Sequence, residues 1–273
     1  MLLDPSMSNT STKPIGVFDS GLGGLTVLKE LVALMPNENF IYLGDVARLP
    51  YGTKSSTVVT RYASRCVDYL VGRDVKLVVI ACNTATATAL PELRRERAFP
   101  IHGVIEPGVS AALAHTRKKK VLVLATPSTV KSDAYPKEFR RQDPSVSVEQ
   151  LACPLLVPLA EEGWFDHEVT VSVMREYMAR ARDPEFDTVV LGCTHYPLLL
   201  PSLSRALGPG IRLVHGGANL AAQVKIGLQA SHSLRSSSQP GSIDLVATDV
   251  ISSTVPLVQS LFGPHCNFSL VDL

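Results

Sequence analysis

Short aliphatic runs recur along the chain, each ending in a polar or glycine-rich turn and a helix-period segment. Ile15–Phe18 leads through DSGLGG into the amphipathic stretch Leu25–Leu34. Phe40–Leu43 leads into GDVARLPYG, Leu77–Ile80 into CNTA, Val121–Leu124 into ATPSTVKS, and Thr188–Leu191 into GCTHYP. Runs without polar alternation predict strands buried on both faces, which means parallel sheets covered by helices. In such sheets ligands bind beyond the carboxyl ends of the strands. The polar turns stand at those ends.

A faint internal repeat is present. Val78-Val79-Ile80-Ala81-Cys82-Asn83-Thr84 matches Val189-Val190-Leu191-Gly192-Cys193-Thr194-His195, and Val17–Ser20 can be laid against Leu122–Thr126. Two related α/β halves facing each other would explain it and would put Cys82 and Cys193 on opposite walls of one cleft. The expected division is a disordered leader over 1–13, a first α/β domain of 14–105 plus 216–273, and a second of 106–215. The boundary is expected at a turn over Ile105–Gly108, and Asp244–Ala247 is expected to return to the first half. The Ser-rich segment Ser231–Ser242 reads as a surface loop.

Composition narrows the function classes. With 45% hydrophobic and 19% charged residues the chain is an ordinary globular one, and a net charge of +1 gives no nucleic-acid footprint. The densest basic run, Arg117–Lys120, reads as a solvated helix end or turn before the strand Val121–Leu124. No apolar stretch reaches the roughly 18 residues of a membrane span, and the N-terminal residues lack the pattern of a signal peptide. Five widely spaced cysteines are no disulfide framework. A reducing cytoplasm is the expected location, where thiols are available for chemistry.

A single cysteine is most often a small buried hydrophobe, and Cys66, Cys153 and Cys266 are read that way. Cys82 differs, because it ends a strand, precedes amide and hydroxyl side chains, and opens a helix whose N–H groups favour a thiolate over the free pKa of about 8.5. Cys193 has the same setting, with His195 two positions on for proton transfer. No closely spaced cysteine pair suggests a zinc site. A cysteine nucleophile would leave the second thiol unexplained. Two opposed thiols suit inversion of a carbon with an acidic hydrogen: one takes the proton from one face and the other supplies one to the opposite face. DSGLGG, Asp19–Gly24, is either a tight helix entry or a set of N–H groups able to hold a carboxylate. Asp19 could meet an ammonium group or assist a thiol.

The segments DSGLGGLTVL, GDVARLPYGTKS, ACNTATA, GVIEPG, CPLLVPLAEEG and LGCTHYPLL, in this order, closely resemble the glutamate racemases of the aspartate/glutamate racemase group. The resemblance runs from about Ile15 to the C-terminal segment. It implies two doubly wound parallel-sheet α/β domains related by pseudo-twofold symmetry, with the active site in the cleft between them. It implies racemisation of L- and D-glutamate at the α-carbon with no cofactor or metal, supplying D-glutamate for peptidoglycan synthesis. Carried over by position, Cys82 and Cys193 are the acid/base thiols, with Asp19, Glu161 and His195 as their helpers. Asp19, Ser20, Tyr51, Gly52, Asn83, Thr84, Thr126, Thr194 and His195 are the substrate contacts. The resemblance allows a homodimer, although no sequence feature marks an interface. Leu213–Gly217 departs from the relatives, many of which carry a second Asp-Ser-Gly-like turn there. Aspartate racemisation and a non-catalytic amino-acid-binding protein are the competing readings. PYG and CTHYPLL favour glutamate over the first, and retention of both thiols disfavours the second.

Overall fold

The computed structural model describes residues 10–250, 258, 261–262 and 267–273. Its strands are β1 Ile15–Asp19, β2 Phe40–Gly44, β3 Leu77–Ile80, β4 Ile101–Gly103, β5 Lys120–Ala125, β6 Ser147–Ala152, β7 Thr188–Gly192, β8 Arg212–Val214, β9 Ile243–Ala247 and β10 Asn267–Leu270. The helices are α1 Leu25–Leu34, α2 Ser56–Gly72, α3 Asn83–Thr88, α4 Leu90–Glu96, α5 Ile105–His115, α6 Pro127–Ser132, α7 Ala134–Gln142, α8 Leu156–Glu161, α9 Glu168–Met178, α10 Leu200–Leu207 and α11 Gly217–Ala230. None is long and apolar enough to cross a membrane.

The strands form two parallel sheets, ordered β10-β9-β2-β1-β3-β4 and β6-β5-β7-β8. The internal repeat is therefore real in the topology, since β2-β1-β3-β4 and β6-β5-β7-β8 are the same arrangement built twice. The registers agree as well. Phe18 lies opposite Ile80 in the first sheet, and Leu124 lies opposite Leu191 in the second. Ser20 and Thr126 thus occupy equivalent places, as do Cys82 and Cys193.

Aliphatic strands with side chains on alternate faces create a core on each side of each sheet. In the first sheet, Ile15, Val17 and Val79 pack with α1 and α11 through Leu28, Leu31, Leu220 and Val224. Phe18, Val78 and Ile80 pack with α2 and α4 through Val59, Val67, Leu70 and Leu93. In the second, Leu122, Leu124 and Leu191 face Met174 of α9 and Leu203 of α10. Val121, Val123 and Val190 face Val109 of α5 and Phe139 of α7. Cys66 and Cys153 are buried as expected; Cys266 lies outside the described residues.

Two local expectations are corrected. Ile105–Gly108 is the first turn of α5 rather than a loop, because Pro107 near a helix start costs no hydrogen bond. Residues 1–9 of the expected leader lie outside the described residues, but 10–13 are tied down: Lys76 Nζ donates to the Ser11 carbonyl, Asn39 to that of Thr12, and Lys13 pairs with Asp74. The Ser231–Ser242 segment is a surface loop, as expected, and is held at its root. The Ser233 carbonyl accepts from Lys76, and the Arg235 N–H donates to Glu38. The Lys76–Glu38 pair beneath them is 2.5 Å apart, with both side chains 1% exposed.

Candidate active site

In each sheet the chain leaves the central strand in opposite directions, to β2 and β3 from β1, and to β6 and β7 from β5. The crevice at such a switch point lies beyond the strand ends. Asp19–Ser20 and Cys82 follow β1 and β3; Thr126 and Cys193 follow β5 and β7. The two crevices share one cavity of about 330 Å³, at the lower end of the range for small-molecule sites. Ser20, Tyr51, Gly52, Cys82, Asn83 and Thr84 line it from the first sheet, and Thr126, Glu161, Cys193, Thr194 and His195 from the second.

Cys82 caps α3, its Sγ accepting from the Ala85 N–H at 3.4 Å. The thiol also lies 3.4 Å from Ser20 Oγ. Burial pushes this thiol up to about 12, Asp19 adds to the rise, and the bonds to Ser20 and Ala85 offset it in part. The expected thiolate preference at a helix start is thus reversed. A six-residue helix offers a small dipole, and desolvation of the charged form outweighs it.

Cys193 is differently placed. No helix opens at it; the chain bends, forms a 3₁₀ turn over Tyr196–Leu199, and only then enters α10. The bend brings His195 Nδ1 to 3.8 Å from Cys193 Sγ, while Nε2 faces Glu161 Oε1 at 3.5 Å. Burial alone would lower the imidazole. The hydrogen bonds to Cys193 and Glu161, with the charges of Cys193 and Asp19, override it and lift His195 to about 10. Of the adjacent acids, Glu161 and not Glu162 faces the cavity. The two sulfurs therefore sit in unlike surroundings, one beside the Ser20 hydroxyl and a backbone N–H with the Asp19 carboxylate near, the other beside the His195 imidazole.

Asp19 does not line the cavity. Fully buried one layer behind it, the carboxylate accepts from the Gly21 N–H at 3.0 Å and Thr194 Oγ1 at 3.3 Å. Burial raises its pKa, opposed by His195 and these donors. Asp19 thus supports Thr194 from behind the cavity wall, with the charge of His195 nearby.

The wall opposite is a strap from Leu49 to Thr53. Tyr51 anchors it, its hydroxyl donating to the buried Asp45 at 2.6 Å. Gly52 carries the strap onto the second sheet: a Cβ there would lie 2.7 Å from Thr126 Cβ and Cγ2. The floor is a ring of hydroxyls, with Thr84 and Thr126 Oγ1 2.9 Å apart and Thr129 within 3.3 Å of both. Thr129, Asp45 and the apolar lining of Leu49, Pro127, Val157 and Pro158 were not singled out from the sequence. The last four fall inside or beside the quoted motifs; Thr129, one turn beyond Thr126, gives no chemical signal of its own. Among the described residues no group of three or more His, Cys, Asp or Glu side chains is placed to hold a metal ion.

Residues 15–224 match the family model described as Asp/Glu/Hydantoin racemase. A glutamate racemase of Geobacter metallireducens is 48% identical over 92% of this chain and 93% of its own length. Among solved structures, a glutamate racemase isoform from Bacillus anthracis superposes with a TM-score of 0.91 at 32% identity, covering 96% of this chain and 98% of that one. The glutamate racemase of Francisella tularensis in complex with D-glutamate gives 0.88 at 31% identity, with the same coverage.

Proposed function

The chain belongs to the Asp/Glu/Hydantoin racemase family, and we propose on that premise that it interconverts L- and D-glutamate by proton transfer between the α-carbon and the thiols of Cys82 and Cys193. The observation that carries this reading is the pair of unlike sulfurs, one from each sheet, on a single small cavity. An inverting enzyme needs one base and one acid at the outset. His195, held cationic, is the counter-charge of a thiolate at Cys193, while burial keeps Cys82 as a thiol.

In one direction the Cys193 thiolate takes the α-proton. The electron pair of the broken C–H bond remains on the α-carbon and spreads into its carboxylate. Cys82 then gives its S–H proton to the opposite face, and the site is left with a thiol at 193 and a thiolate at 82. The other enantiomer runs the sequence in reverse. Asn83, Thr84, Thr126 and Thr194 supply donors for the substrate's anionic groups, and the apolar wall excludes water, which strengthens those bonds. Glu161 faces His195 Nε2, while Asp19 holds Thr194 and adds a negative charge that favours the imidazolium. D-glutamate formed in this way would serve peptidoglycan synthesis.

The test is circular dichroism of the purified protein with L-glutamate, D-glutamate and L-aspartate, with no cofactor added. Loss of signal from both glutamate enantiomers at equal final composition is expected. Racemisation of aspartate alone would overturn the substrate assignment.

A further inference from the structure

Tyr135, on α7 of the second sheet, touches the neighbour of each thiol. Its hydroxyl donates to Asn83 Oδ1 at 2.8 Å, and Asn83 follows Cys82. Its ring packs against Gly192, which precedes Cys193: a Cβ on Gly192 would lie 3.1 Å from Tyr135 Cε2. Both chain crossings between the sheets pass the same point. A Cβ on Gly108, at the start of α5, would lie 3.5 Å from the Tyr135 hydroxyl, and one on Gly216, at the start of α11, 3.0 Å from the Gly108 nitrogen. Tyr135 is buried and does not line the cavity.

We propose that Tyr135 is the positioning residue that holds the two thiol-bearing turns at their working separation, its ring bracing the Cys193 turn through Gly192 and its hydroxyl fixing the Asn83 amide beside Cys82. The inference rests on the two-thiol reading of the cavity. The hydroxyl and the ring have separable consequences. With Oδ1 occupied by the tyrosine, Asn83 keeps its amide N–H groups for the cavity, where they donate to a carboxylate; a reversed amide would present an oxygen to that anion. The ring governs whether a carbanion formed at one sulfur is met by a proton from the other. If the second thiol recedes, the first returns the proton to the face it came from. In D₂O that thiol first exchanges its S–H for S–D with solvent, so the substrate gains deuterium without inverting.

The experiment compares wild type, Tyr135→Phe and Tyr135→Leu with L-glutamate in D₂O, following α-deuteration by NMR and inversion by circular dichroism, with thermal melting as the check on folding. Tyr135→Phe keeps the ring and loses the hydroxyl. We expect KM to rise about five- to tenfold with kcat within about twofold, and the ratio of deuteration to inversion as in wild type. Tyr135→Leu loses the brace, and that ratio is expected to rise severalfold. An unchanged KM in the first variant, or an unchanged ratio in the second, overturns the proposal. Should Tyr135→Leu fail to fold, Tyr135→Phe and Asn83→Ala are combined: non-additive effects on KM support the proposal and additive effects overturn it. A wild-type protein that does not racemise glutamate would instead remove the reading on which it rests.

Discussion

His195 Nδ1 stands 3.8 Å from Cys193 Sγ, whereas Cys82 has the Ser20 hydroxyl and a backbone N–H as its hydrogen-bond partners. The two thiols are thus paired on one cavity but differ in setting, and if both transfer protons, as proposed, kinetics can read the difference. Enantiomers have equal free energies, so kcat/KM must fall equally in both directions for any variant, while kcat is under no such constraint. For His195→Asn we expect a loss of about a hundredfold or more in kcat/KM, with the larger fall in kcat in the direction that Cys193 begins as base. Equal falls in kcat, from initial rates with each enantiomer, would mean that His195 merely positions substrate.

The raised pKa of His195 has a sign. Its protonated form is favoured by the fold, so the stabilisation is complete below the ordinary value of about 6.5 and is lost as pH rises through about 10. Between about pH 7 and pH 10 the melting temperature of wild type is expected to fall more than that of His195→Asn.

Glu161→Gln removes the anion at 3.5 Å from His195 Nε2. The imidazolium then loses a partner and deprotonates at lower pH. The alkaline limb of the kcat profile should move down in pH, with a modest loss at neutrality; an unmoved limb would detach Glu161 from the site.

Gly52→Ala tests the strap. Its new Cβ would meet Thr126 at 2.7 Å, and a short side chain fixed at the cap of α6 has little room to yield. KM should rise by about tenfold or more with little change in melting temperature. A normal KM would show that the strap does not shape the substrate's seat.

Glu38→Ala leaves Lys76 buried without its anion, although two carbonyls remain to it. Breaking a buried pair on one side costs about 3–5 kcal/mol. Denaturant unfolding should show that loss while the kcat of the folded enzyme stays unchanged, since the pair lies outside the cavity lining.

The central strands were legible because short aliphatic runs bounded by polar turns recur before helix-period segments, and the candidate site residues stand at the ends of those runs. Edge strands were not. Ser147–Ala152 carries Glu149 and Gln150 and pairs with one strand only, and Arg212–Val214 is too short to show a pattern. Tyr135 and Thr129 were missed because they look like core or polar positions of helices, and their partners come from elements that only tertiary packing brings near. The state of the thiols was misjudged at Cys82 for the same reason. A local rule about helix starts predicted a thiolate, but the burial that decides the matter is set by both sheets together.

The most direct measurement is racemisation of each glutamate enantiomer in D₂O by folded Cys82→Ala and Cys193→Ala, read by circular dichroism for inversion and NMR for α-deuterium. Two opposed thiols require that wild type label every inverted molecule and that neither variant invert substrate at a measurable rate. Near-normal inversion by either variant, or wild-type product without solvent deuterium, would contradict the account.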